Sequence, residues 1–365
     1  MRILFVVEHF YPYTGGAEEL FLNLTTALAR EGHKVNVVTT MYNHSLSKKE
    51  DYQNVHITRV RCFNRFLFTF MSLPAILRLA RNADLIHTTS YNSAVPAFIA
   101  GMVRRKKVVI TFHEVWGKLW FRLPFMPKWK LFIFYLYEQF ILRLPFHRYL
   151  AVSNSTRSAL IQHGISESRI VKIYNGVDDA SLKTYMHKPP SDFTFCFFGR
   201  LGISKGLELL PGATRLFVSR HPNATLKLII PTYPEPLLRK VLTLVKQSGA
   251  ENNIRIMHDL SREDLLREVS TSSCVIIPSH SEGFCFVAVE AVSIGVPVIS
   301  SGKGSLPEVV SGKFLLLDSL SEKSIVESLE KAIKNEWKNK PFVSFSLEES
   351  MKNYFAFYSS LMPVK

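Results

Sequence analysis

Glu282 and Glu290 stand eight positions apart in "SEGFCFVAVE", directly after the apolar run "CVIIPS". Two carboxylates around one segment can move protons, grip hydroxyl groups, or simply cap and solvate a helix. The neighbouring residues bear on the choice. "CVIIPS" reads as a strand and a turn, "VAVEAVSIG" as a helix ending at Gly295, and "VPVISS" as the next strand. Glu290 then falls inside the helix and Glu282 in the loop before it. This unequal placement disfavours an acid–base pair flanking one scissile bond and favours two different hydrogen-bonding tasks. An ionised carboxylate can accept from two vicinal hydroxyls, such as those of a ribose. The backbone amides of Gly283, Phe284, Cys285 and Phe286, near a helix start, can face hydroxyls or a phosphate.

A second group of residues is suited to anions. In "FFGRLGISKGLELL", Arg200 and Lys205 follow an apolar strand across a short glycine-containing turn. A guanidinium can bind two phosphate oxygens at once, and an ammonium adds a point charge. Their place after a strand favours a diphosphate over the plainer reading of two solvated surface cations. In "YTGGAEEL", Gly15 and Gly16 let a backbone approach a ligand closely at the N-terminus of a helix. An ordinary glycine turn with Glu18 and Glu19 as first-turn acids accounts for it equally well. In "TFHEVWG", His113 and Glu114 end a strand, where a histidine can contact substrate or handle a proton. A satisfied structural histidine is the competing reading.

The elements that carry these residues alternate. "RILFVVE", "KVNVVTT", "ADLIHTTS", "KVVITFHE" and "RYLAVSN" read as short apolar strands, and "AEELFLNLTTALAREG" as an amphipathic helix ending at Gly32. The pattern restarts with "FTFCFFGR", "ATLKLIIP", "NIRIMHD", "SCVIIPS", "PVISS" and "KFLLLD". Between them lies "DDASLKTYMHKPPSD", polar and carrying a proline pair, which reads as a linker. The expected fold class is therefore α/β, with two doubly wound, Rossmann-like parallel sheets and catalysis in the cleft between them. The expected domains are 1–178 and 179–345, with a final helix over 346–365 rejoining the first.

Bulk properties narrow the partners. The chain has 365 residues and a net charge of +15. Between Arg59 and Arg148, fifteen Lys and Arg face three acids, a net of +12. Such a patch attracts something anionic. The segment "WGKLWFRLPFMPKWKLFIFYLYEQFILRLPFHRY" interleaves cations with Trp, Phe and Tyr, side chains that favour a membrane interface. Together with Phe66–Leu77 it reads as an interfacial surface for an anionic membrane on the first domain, against the plainer reading of a buried helix. No RRM, KH or zinc-finger pattern supports a nucleic-acid partner. No run reaches the length of a membrane span, and "MRILFVVEHFYP" reads as a first strand rather than a signal peptide. Cys62, Cys196, Cys274 and Cys285 lack metal or disulfide spacing, with Cys196 and Cys274 in core-like runs. A reducing cytoplasm is the expected compartment.

Taken together, Glu282 and Glu290 at their spacing, "GRLGISKG", "GVPVIS…PEVV", "PYTGGAE" and "YNGVD" at Tyr174–Asp178 resemble the retaining glycosyltransferases of family 4, also called glycosyltransferase group 1. The resemblance covers nearly the whole chain. It implies the GT-B architecture and transfer of a sugar, with retention, from a nucleotide-diphosphate sugar. No cofactor and no bound metal are implied. Arg200 and Lys205 match the basic pair on the donor diphosphate, Glu290 the acid on the ribose hydroxyls, and Glu282 the acid beside the transferred sugar. Gly15 and Gly16 match a glycine loop near donor and acceptor, and His113 a strand-end histidine near the donor sugar. The sequence departs from the family at Cys285, where glycine is frequent, and at "PTYPEP" and Met257–Asp259, which lack the usual glycines.

The expectation is a cytoplasmic, metal-independent, retaining glycosyltransferase. Its acceptor is a glycan or lipid-linked molecule at the inner membrane face. A small soluble acceptor, a nucleotide-sugar epimerase and a catalytically silent nucleotide-sugar-binding module are the alternatives.

Overall fold

The computed structural model describes residues 1–13 and 15–361. The chain forms two compact units. The first comprises residues 1–117, 133–176 and the C-terminal segment from Glu348; the second comprises 118–132 and 177–347. The short segment 118–132 groups with the second unit because Phe125 packs against that unit's core and its carbonyl accepts from the Lys240 ammonium.

The first unit is built on eight strands: β1 (Arg2–Val6), β2 (Lys34–Thr40), β3 (Lys49–Tyr52), β4 (Val55–Val60), β5 (Leu85–Thr89), β6 (Lys107–Phe112), β7 (Arg148–Ala151) and β8 (Ile170–Lys172). Their order is β3-β4-β2-β1-β5-β6-β7-β8, parallel except for the β3–β4 hairpin. The second unit holds β9 (Thr194–Phe198), β10 (Thr225–Ile229), β11 (Ile254–Met257), β12 (Cys274–Ile277), β13 (Val298–Ser300), β14 (Gly312–Leu316) and β15 (Lys338–Lys340). They run β11-β10-β9-β12-β13-β14-β15, parallel except for β15. Counted along the chain, the parallel core of each sheet has the 3-2-1-4-5-6 order of a doubly wound fold. The order in which strands are laid down therefore reverses between β1 and β5 in one unit and between β9 and β12 in the other. Ligands collect beyond the strand ends at such points.

The central strands are apolar throughout because helices cover both faces. β9 is buried at every position, as is β12. Phe195, Phe197, Leu226 and Ile276 pack with Leu210, Phe217, Val241 and Leu329 from the helices above them. In the first unit Leu4, Val6, Ile86 and Ile110 pack with Phe68, Ile76 and Phe146. Cys196 and Cys274 are fully buried, and all four cysteines are free thiols.

The helix Leu347–Ser360 belongs to the first unit. Tyr358 hydroxyl pairs with His87 Nδ1 inside the core at 2.5 Å, and Ser350 hydroxyl donates to the Tyr174 carbonyl at 2.8 Å. Phe66–Leu77 is not one continuous element. Asn64 caps a single turn, Arg65–Leu67, followed by the short helix Phe68–Met71 and by Leu73–Ala80.

Candidate active site

The second unit presents its candidate side chains from the two strands that flank its reversal point. Gly199 through Lys205 follow β9, and Pro278 through Glu282 follow β12. The two loops are stitched together. His280 N–H donates to the Ser204 carbonyl at 2.7 Å, and the His280 ring pairs with Glu208 at 2.6 Å. Gly206 lies so close to the β12 loop that a Cβ would stand 2.0 Å from the Pro278 carbonyl oxygen.

This stitching brings Lys205 to Glu282. The ammonium lies 2.8 Å from both carboxylate oxygens, and Ser279 hydroxyl donates to Glu282 Oε1 at 2.6 Å. Glu282 is 6% exposed. A carboxylate so buried needs donors around it, since an unpaired charge there is costly. Its backbone is fixed from a third direction. Ser305 N–H donates to the Glu282 carbonyl at 2.9 Å, and a Cβ on Gly304 would fall 2.2 Å from that oxygen. Ser279, Gly304 and Ser305 were not anticipated as site residues. They are small residues with no spacing that marks them, and only folding puts them on Glu282.

Cys285 adopts φ +65 and ψ +73 immediately before the helix Phe286–Ile294. A left-handed conformation at a residue with a Cβ is strained by about 1–2 kcal/mol. Its buried thiol is held well above the ordinary thiol range, first by desolvation and then by the Glu282 charge. Gly283 and Phe284 are buried beside it; Phe284 packs edge-on against Phe286 and Phe345.

Glu290 lies within that helix, buried, with the Arg262 guanidinium 2.7 Å from its carboxylate. Arg262 opens the helix Arg262–Ser270 after β11 and is a further charged member of the site. No motif marked it. The nearby Asp259, in the loop Met257–Asp259 that lacks the family's usual glycine, takes φ +49, and its carboxylate accepts from Thr232 hydroxyl at 2.8 Å. Arg200 sits exposed at the end of β9.

His113, Gly15 and Gly16 belong to the first unit. Gly15 and Gly16 open the helix Gly16–Arg30 beyond β1. His113 follows β6, half-buried, with its ring edge-on to Phe21 at 6.0 Å. Glu8 is a charged group there that sequence reading passed over. It lies beyond β1, accepts from Asn92 Nδ2 at 2.9 Å and pairs with Arg65 at 2.8 Å. Burial pushes its pKa up, but the His9 hydrogen bond and the Arg65 and His9 charges bring it below the usual range.

Residues 14–181 match the model of the family described as Glycosyltransferase Family 4, and residues 183–354 that of Glycosyl transferases group 1. The chain belongs to this glycosyltransferase family. It is 25% identical over 343 residues to a component of human phosphatidylinositol N-acetylglucosaminyltransferase, covering 91% of this chain and 68% of that one. It is 26% identical over 316 residues to GDP-mannose:cellobiosyl-diphosphopolyprenol alpha-mannosyltransferase of Xanthomonas campestris, covering 82% and 78%. Among solved structures, sucrose-phosphate synthase from Thermosynechococcus elongatus superimposes with a TM-score of 0.79 at 18% identity, covering 99% of each chain. Anabaena Alr3699/HepE, solved with UDP and glucose, gives 0.74 at 19% identity, covering 99% of this glycosyltransferase and 100% of that chain. These neighbours agree on the GT-B fold. Among the described residues, no helix of this glycosyltransferase is long and apolar enough to cross a membrane.

Proposed function

We propose that this glycosyltransferase moves a sugar, with retention and without a metal, from a nucleotide-diphosphate sugar to a glycan or lipid-linked acceptor. The observation that carries the reading is the Lys205–Glu282 pair at the reversal point of the second unit. Breaking a sugar–diphosphate bond builds positive charge on the sugar and negative charge on the departing phosphate. Arg200 and Lys205 are cations at the end of β9, and the first turn of Phe286–Ile294 adds N–H groups. An ammonium has three donors, so Lys205 can serve a carboxylate and a phosphate oxygen together. Glu282 then acts as a positioning and electrostatic group beside the oxocarbenium-like sugar. Glu290, oriented by Arg262, receives the two ribose hydroxyls. The acceptor attacks on the face that the phosphate leaves, and a phosphate oxygen takes its proton. Gly15, Gly16 and His113 of the first unit are read as substrate contacts, as the family resemblance implies.

The membrane side of the reading has its own support. Relatives are named for phosphatidylinositol and diphosphopolyprenol substrates. On the helix Lys128–Arg143, Trp129, Phe132, Ile133, Leu136 and Phe140 are all exposed, at helical spacing. The carboxylate of that helix, Glu138, is buried and accepts from the Trp116 and Gly117 amides and Tyr91 hydroxyl. An apolar face displaying only cations suits the anionic cytoplasmic leaflet.

Calorimetry with UDP, GDP and ADP, each without metal and then with magnesium, tests the donor site. One nucleotide should bind without metal and lose binding in Arg200→Ala/Lys205→Ala. Donor turnover then separates an enzyme, which releases nucleoside diphosphate, from a silent binding module, which does not. Trapping of a glycosyl adduct on Glu282 would refute its positioning role.

A further inference from the structure

The first unit contains a cavity away from β1 and β5 that none of the expected site residues line. Its volume is about 590 Å³. It lies between the C-terminal ends of β2 and β4 and the helix Leu73–Ala80, lined by Lys48, Arg59, Arg61 and Arg78 together with apolar side chains that include Met41 and Met71. Four cations around one cavity give it a positive potential that attracts an anion.

The four cations are not equivalent. Arg59 is 1% exposed and tied into the framework: it donates to the Ser47 and Tyr11 carbonyls and pairs with Glu50 at 2.6 Å. Glu50 therefore answers Arg59. Lys48, Arg61 and Arg78 stand at the rim with exposed side chains. Long cationic side chains at a rim, above a floor of Met41 and Val60, can close on a phosphate from three sides.

Within two positions of the lining residues Arg61 and Met71, the chain carries apolar side chains of unusual exposure. Phe63 is 91% exposed, Phe70 73% and Met71 38%. The neighbouring Phe66 stacks on Phe134 of the helix Lys128–Arg143, at 6.0 Å between ring centroids. A basic cavity lined by Met71, with exposed aromatic side chains one and two positions from its lining residues, offers two chemistries: charge for a phosphate and apolar area for a hydrocarbon chain.

We propose that this cavity binds the phosphate or diphosphate group of an anionic amphiphile, with the chain lying across Phe63, Phe70 and Met71. The site lies wholly in the first unit, and the inference does not depend on sugar transfer.

The test compares the 365-residue chain and three variants on phosphatidylcholine vesicles containing phosphatidylglycerol, on pure phosphatidylcholine vesicles, and with inorganic diphosphate. Lys48→Glu/Arg61→Glu/Arg78→Glu should lower partition onto the anionic vesicles at least tenfold and remove competition by diphosphate. Lys331→Glu/Lys334→Glu/Lys338→Glu makes the same charge change on exposed lysines of the second unit and should cost less than twofold. Phe63→Ser/Phe70→Ser should weaken vesicle binding severalfold and leave diphosphate binding unchanged. If the triple variant melts early, the milder Arg61→Gln/Arg78→Gln replaces it, with an intermediate loss expected. Equal losses in both charge variants would reduce the effect to net charge and overturn the site. Vesicle binding indifferent to Phe63 and Phe70 would overturn the amphiphile and leave a soluble phosphate ligand.

Discussion

Lys205 places its ammonium 2.8 Å from both carboxylate oxygens of Glu282, across 77 positions of sequence. The pair joins the loops on either side of the reversal point, so it is at once part of the framework and of the proposed donor site. Lys205→Ala leaves a buried carboxylate with Ser279 as its remaining hydroxyl donor. We expect a loss of about 2–3 kcal/mol in stability, below the full cost of a broken buried pair because Lys205 is 26% exposed. Turnover should fall by about a hundredfold. Adding Glu282→Gln should recover part of the stability and none of the activity. Additive stability losses in a double-mutant cycle would show that the two groups are not coupled.

Glu290 and Arg262 supply a second test. If Glu290 receives the ribose hydroxyls, Glu290→Gln should weaken nucleotide binding about tenfold. The effect should vanish with a 2′,3′-dideoxynucleotide, measured by calorimetry. Arg262→Gln should give a smaller loss with the same dependence on the ribose. A loss that persists with the dideoxynucleotide would place Glu290 elsewhere.

Cys285 predicts an inverted order of substitutions. At φ +65, a Cβ is a liability and glycine is at ease. Cys285→Gly should be more stable than Cys285→Ala by about 1 kcal/mol, opposite to the ordinary helix-interior preference. Denaturant unfolding of the two variants decides it. Because the thiol is held protonated by burial and by Glu282, it should also alkylate far more slowly in the folded protein than after unfolding.

Gly304→Ala tests the backbone brace. Its new Cβ would lie 2.2 Å from the Glu282 carbonyl oxygen and 2.6 Å from its nitrogen, with φ at +62. Neither contact can be relieved by turning a side chain. The variant should lose about 2–4 kcal/mol and most of its activity. Full activity with unchanged melting would mean that the turn can move away from Glu282.

His87 gives stability a pH dependence. It is fully buried between Tyr358 and Thr111, and burial, helped by the nearby His113, pushes its pKa from 6.5 down to about 3. Between those values the unfolded chain takes a proton that the folded chain refuses. Its contribution therefore lowers stability as pH falls from about 6.5 toward 3. His87→Gln should flatten the decline of melting temperature over that window. An unchanged slope would remove His87 as its cause.

How much of this was legible in the chain itself depends on the range of the interaction. Apolar runs such as "CVIIPS" and "FTFCFFGR" sit on strands β12 and β9, because strands covered on both faces must be apolar at every position. Four strands were missed: β4, whose apolar positions are interrupted by His56 and Arg59, the three-residue β8, and the edge strands β3 and β15. β3 is "KEDY" and β15 is "KNK", half-exposed stretches with no apolar signature, paired only because β4 and β14 lie beside them. Gln53 and Asn54, both at positive φ, turn the β3–β4 hairpin without any glycine to announce it.

The same division runs through the site. Residue type and local spacing were enough to single out Arg200, Lys205, Glu282 and Glu290, and to put Glu290 in a helix and Glu282 before it. Charged groups at strand ends announce themselves, since burying them without purpose is expensive. Which charges meet was decided by the tertiary fold alone. Lys205 reaches Glu282, Arg262 reaches Glu290, and Ser305 holds the Glu282 backbone because sheet order puts β9 beside β12 and carries the β11 and β13 loops to the same end. Strand order is a property of how helices cross over a twisted sheet, and no short window of sequence contains it.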